Sequence, residues 1–190
     1  MASNHLDTYY AHSFIYGFFG LGGAVDLVIW YNLAPLPPKF DYLVLSLAFW
    51  FEGFLFFFHL NGKDELYVRV HTILYILVFV TALVFLLAAI SDQFMNFVGF
   101  LKAYLLSLQG TWFYQAGFVL FGTFGRNAWK FSPSNLELLG IVFAFHAMAW
   151  FVIHLFFHIV CYRCYIQKHQ PSARLFEESE EEDCMTLEEQ

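Results

Sequence analysis

Carboxyls and imidazoles inside apolar runs are where this sequence could do chemistry. Asp26 and Glu52 each interrupt a long apolar run, and His12, His59, His71 and His146 lie within or at the ends of others. A charged group in hydrocarbon is expensive, and such groups usually face a bundle interior or a wet cavity. A carboxyl at that depth must be protonated, paired or hydrated. A histidine there can carry a proton, donate, accept or bind a metal. The stretch SLQGTWFYQAGFVLFGTFG, residues 107–125, adds Gln109, Thr111, Trp112 and Gln115 as donors and acceptors.

Helical phase groups these residues. His12 and Asp26 lie on one face to within about 40°, and Glu52 and His59 share another. Ser107, Thr111 and Gln115 form a polar stripe at i, i+4, i+8, while Ala103, Gly110 and Gly117 form a stripe of small residues. A small stripe lets a neighbouring helix come close. The expectation is a helix that packs on one face and reaches into a polar interior on another.

Composition says what must hold such residues in place. Of 190 residues, 59% are hydrophobic, 22% aromatic and only 13% charged, and Phe occurs 26 times. A soluble domain of this size could not hide so much apolar surface, but a bilayer can. A span needs ~20 apolar residues, and five stretches qualify: about 13–33, 42–60, 70–90, 97–121 and 136–161. The breakers APLPPK, NGKDE, SDQ and GTFGRN separate them, and Ser132 and Ser134 are N-cap candidates for the fifth. Backbone groups in lipid must pair within their own segment, so these are helices. The expected fold is all-α: a polytopic transmembrane helix bundle over residues 1–164 with a disordered acidic tail over 165–190.

The topology of five spans puts His12, His59 and His71 on one membrane level, from three helices. Together they could hold a metal ion. The plainer reading is hydrogen bonding across helices, worth ~0.6 kcal/mol per bond. His154 and His158 form an i, i+4 pair in the last span. No other cofactor and no nucleic-acid partner is expected, and the oligomeric state is open.

Half of the 16 acidic residues lie in the last fourteen positions, so the net charge of −7 belongs to the tail. Cys161 and Cys164 sit where the last apolar run meets water, as S-palmitoylation candidates. Ser179 lies in the acidic cluster EESEEED and is a phosphorylation candidate. With the C-terminus in the cytosol, five bases face inward (Lys39, Lys102, Arg163, Lys168, Arg174) and four outward (Lys63, Arg69, Arg126, Lys130). Five against four hardly decides, and it is the acidic tail and the cysteine pair that suit a cytosolic C-terminus.

Several blocks, in order, resemble the transmembrane protein 45 family, also called domain of unknown function 716. They are YYAHSFIYGFFGLGGAVDL, FDYLVLSLAFWFEGFLFFFH, VRVHTILY, LQGTWFYQAGFVL and FAFHAMAW, covering about residues 8–161. By position, His12, Asp26, Glu52, His59, His71, Gln109, Trp112, Gln115 and His146 match the family's recurring polar and aromatic positions. Asn61 and Arg69 stand where the family usually has two further histidines, which weakens a multi-histidine metal site. The resemblance implies seven spans, of which the two N-terminal ones have no counterpart here. It also implies Golgi, endosomal or plasma membranes, and it supplies no catalytic activity.

Three functions compete. The first is a polar intramembrane cavity that binds or passes a small solute, proton or metal ion. The second is a non-catalytic trafficking or scaffold protein, whose acidic tail recruits cytosolic sorting adaptors. A lipid-modifying enzyme ranks last, because three histidines on one level fall short of a histidine-rich oxidase and no Gly-x-Ser-x-Gly elbow is present.

Overall fold

Turn residues interrupt the apolar pattern, and the chain breaks its helices there. The computed structural model describes the backbone of residues 3–58, 60, 62–93, 95–122 and 128–188. Side chains are described for these residues except 3–9, 11, 12, 95, 96, 167 and 169–188. The helices are α1 (Ser3–Trp30), α2 (Phe40–Phe58), α3 (Glu65–Ile90), α4 (Met95–Phe121) and α5 (Pro133–Glu188), with no strand among the described residues.

Local chemistry sets the ends. At the end of α1, Leu33 N–H donates to the Val28 carbonyl at 3.0 Å and Asn32 N–H to that of Ile29 at 3.1 Å. Asn32 has φ 54°, so this is a Schellman motif with asparagine in the left-handed position. α4 stops at Gly122, at φ 70°, whose N–H donates to the Phe118 carbonyl at 2.9 Å. Ser132 caps α5 as expected, its Oγ accepting from Asn135 N–H at 3.2 Å with Pro133 in the first helical position.

α3 starts at Glu65, earlier than the apolar run suggested. Asp64 is extended (φ −68°, ψ 161°), and its carboxylate accepts from Tyr67 N–H at 2.9 Å. This cap draws the polar first turn into the helix. Asp64→Ala should lower stability by ~0.5–2 kcal/mol. Reversible unfolding in mixed micelles measures it, and an unchanged midpoint would show that the cap is idle.

Side-chain pairs give the packing directions. Between α2 and α3, Tyr42 meets Phe85, Trp50 meets Phe79 and Phe57 meets Tyr75. One index rises as the other falls, so the two helices run antiparallel. α1 meets α2 in the same sense, through Phe18–Phe51 and the approach of Gly22 to Leu45. Val70 of α3 meets Trp112 of α4 while Phe85 meets Lys102. α2 and α4 therefore run parallel, and α4 turns back into α5 through Tyr104–Ala147 and Trp112–Phe143. The core gathers Phe49, Val70, Leu74, Val78, Leu108, Trp112 and Val119. Trp30, Phe58, Ile90 and Phe121 are exposed instead, as helix faces that meet lipid must be.

Among the described residues, four helices are long and apolar enough to cross a membrane: Ser13–Trp30, Phe40–Phe58, Glu65–Ile90 and Pro133–Ile166. α4, expected as the fourth span, forms with 27 residues but is not among them. Its middle carries Lys102, Ser107, Gln109, Thr111 and Gln115, which dilute its apolar content. The protein is nonetheless an all-helical bundle with the apolar helices of a membrane protein.

The chain divides into two compact units, Met1–Trp150 and Phe151–Gln190. The second is helical through Glu188, across the segment read as a disordered tail. Glu, Gln, Arg and Leu are good helix formers, and they make up half of that segment.

Candidate functional site

The polar residues of the middle of the bundle form two pairs, both on α4. α4 offers its polar groups to more than one neighbour because Gln109 and Thr111 point about 200° apart around the helix. On one side, Gln109 Nε2 donates to Glu52 Oε2 of α2 at 3.3 Å. Glu52 is 4% exposed and Gln109 6% exposed. Gln109 Oε1 is buried and has no hydrogen-bond partner among the described residues. No ion pair reaches Glu52 among the described residues.

On the other side, Thr111 Oγ1 lies 2.9 Å from His146 Nε2 of α5. The hydroxyl also lies 2.7 Å from the Ser107 carbonyl. A hydroxyl has one proton and a carbonyl only accepts. With Thr111 donating to Ser107, its oxygen accepts from His146 Nε2–H. This leaves Nδ1 of a neutral His146 as the acceptor of the ring.

Trp112 stands between the pairs and is fully buried. Its indole N–H donates to the Val70 carbonyl of α3 at 3.5 Å. Phe143 and His146 meet its ring in T-shaped contacts at 4.9 and 5.8 Å between centroids.

The remaining candidates are placed elsewhere. Asp26 is exposed and does not join Glu52. His71 is half-buried, donates from Nδ1 to the Tyr67 carbonyl at 2.9 Å and stacks on the Tyr67 ring at 3.9 Å. Gln115 is half-buried, with no bond to Glu52 or His146. The side chains of His12, His59 and Ser179 lie outside the described residues, so the metal site expected of His12, His59 and His71 falls there too. Among the described residues, no group of three or more metal-ligating side chains converges. Cys161 and Cys164 are free and exposed.

The small stripe of α4 is a correction. A Cβ at Gly110 or Gly117 would meet nothing within 4 Å, and Ala103 is exposed. That face looks out of the bundle. The close approaches fall on α1 and α2, where a Cβ at Gly22 would come 3.0 Å from Leu45 and one at Gly53 2.5 Å from Phe79. An apolar groove of about 380 Å³ runs along α1, lined by Tyr10, Ser13, Phe14, Gly17, Phe18 and Leu21. None of the described polar candidates lines it.

Two contacts escaped the sequence reading. Lys102 Nζ sits 3.9 Å from the Tyr42 ring centroid and 5.6 Å from that of Phe85, a cation–π site inside α4. The signal was a lone lysine seven residues into an apolar helix. Ser46 donates to the Ala82 carbonyl at 2.8 Å, fixing α2 on α3. A serine in an apolar helix gives no hint of which carbonyl it will find.

A family model described as a family of unknown function, DUF716, matches residues 38–162, about two thirds of the chain. The chain belongs to this family. The match takes in α2, α3, α4 and the apolar part of α5, and therefore all four residues of the two polar pairs. His12 and Asp26 lie before it, although the resemblance read from the sequence began at residue 8.

Proposed function

We propose that this member of the family is a multi-pass integral membrane protein whose polar midplane binds or passes a small solute, a proton or a metal ion. One observation carries the reading: an ionisable carboxyl, Glu52, is buried among apolar helices with an amide as its partner and no cation in contact among the described residues. A structural bond from α2 needs no ionisable group, since Ser46 ties α2 to α3 with a hydroxyl. An ionisable group inside a membrane span is a functional candidate by default. The Thr111–His146 pair gives the same layer a second group able to exchange a proton.

Flux through the purified protein in proteoliposomes tests this. Protons, monovalent and divalent cations are to be followed with internal indicator dyes. The wild type should pass at least one of them, and Glu52→Gln should fall to the background of empty vesicles. Impermeability to every probe, with no bound solute released on denaturation, would sink the reading.

A further inference from the structure

We propose that Glu52 and Gln109 form one proton-binding site, in which a neutral Glu52 carboxyl closes onto the Gln109 amide through two hydrogen bonds. The proposal rests on the reading of the midplane as functional and says which ligand is held, and by which atoms.

The argument starts from the idle acceptor. Gln109 Nε2 is bonded to Glu52 Oε2 at 3.3 Å, while Oε1 of the same amide is buried without a partner among the described residues. A buried, unsatisfied acceptor costs ~1–3 kcal/mol. A carboxylate cannot relieve it, because it has no proton to donate. A neutral carboxyl can. Carboxyl and amide each present one donor beside one acceptor, so face to face they complete each other. Glu52 keeps accepting from Nε2–H and donates its own O–H to Oε1.

Both groups end in sp³–sp² torsions, which turn over broad wells, so the two planes can rotate to face each other. The result does not depend on which end of the amide is oxygen. In either orientation a carboxylate leaves one amide atom idle and a neutral carboxyl uses both. A proton also needs no added room.

Among the described residues of the packed helices, the following charged and titratable groups are engaged or exposed. Asp26 of α1 is exposed. His71 of α3 bonds the Tyr67 carbonyl. On α4, Lys102 lies over the rings of Tyr42 and Phe85, and Tyr104 donates to the Ala147 carbonyl of α5. His146 of α5 is bonded to Thr111. None of these contacts supplies a charge or a donor to the pair.

Infrared spectroscopy of the full chain in lipid bilayers, with ¹³C-labelled glutamate, reads the carboxyl directly. The buffer is one in which carboxyls free in water are ionised. The expected result is a protonated-carboxyl C=O band that shifts with the label, vanishes in Glu52→Gln and moves to higher frequency in Gln109→Leu. Label-sensitive carboxylate bands alone would overturn the proposal, whether or not either variant folds. So would a protonated band that ignores Gln109→Leu in a folded protein. A hydrogen-bonded band with no flux of any probe would uphold the site and defeat the transport reading, and flux without the band would do the reverse.

Discussion

Replacing Trp112 with alanine should be among the most damaging single changes in the bundle. Its side chain is fully buried and touches two neighbouring helices: it donates to the Val70 carbonyl of α3 and packs on Phe143 and His146 of α5. In a soluble core, Trp→Ala costs ~3–5 kcal/mol. Part of that is transfer from water, which is missing here because lipid is as apolar as the core. What remains is the cavity and the lost dispersion contacts, with two ring contacts of ~0.5–1.5 kcal/mol each. The 3.5 Å bond to Val70 adds little, as its distance is at the limit of a hydrogen bond. A loss of ~3 kcal/mol is therefore expected, toward the low end of the soluble range. Reversible unfolding in mixed micelles would measure it. A loss under about 1 kcal/mol, the level of an average substitution, would mean that α4 does not present this face to α3 and α5. Trp112→Phe keeps the ring contacts and should lie between the two.

The same tryptophan shows what a sequence can and cannot reveal here. The number of helices was legible because it is written locally, in apolar runs closed by APLPPK, NGKDE, SDQ and GTFGRN. The capping serine of α5 was legible for the same reason. The start of α3 was placed too late because an apolar count ignores a polar first turn, which Asp64 ties into the helix. Helical phase was also legible, since Thr111 and Gln115 do lie near one another on α4. Which neighbour that face meets was not. It depends on how α4 is rotated against α2, α3 and α5, and no local signal carries that rotation. Glu52 therefore found Gln109, off the expected stripe, while Thr111 found His146. The glycines carried the same ambiguity. Gly110 and Gly117 looked like a packing face and turned outward, while Gly53, beside Glu52, received the neighbour.

Gly53→Ala should therefore destabilise the bundle, although alanine is the better helix former by ~1 kcal/mol. A Cβ at this position would lie 2.5, 2.8 and 2.9 Å from three atoms of the Phe79 ring. The ring has little freedom to retreat. Trp50, Phe54 and Tyr75 surround it, with centroids at 5.1, 5.4 and 6.1 Å. Relief then requires the half-buried ring to leave its rotamer or α2 and α3 to move apart, an overpacking cost of ~1–3 kcal/mol. The strain outweighs the propensity gain, and Gly53→Leu should be worse than Gly53→Ala. Gly110→Ala is the control. A Cβ there meets nothing within 4 Å, so propensity alone acts and stability should hold or rise. The double change Gly53→Ala with Phe79→Leu, which removes the obstructing ring, should recover part of the loss. The effect also reaches the candidate site, because Gly53 adjoins Glu52 on α2 and a shift of that helix alters the 3.3 Å contact with Gln109. Flux and the carboxyl C=O band should both change in Gly53→Ala and stay at wild-type values in Gly110→Ala. Equal stability of the two alanine variants would show that α2 and α3 are not in the close contact on which the placement of Glu52 depends.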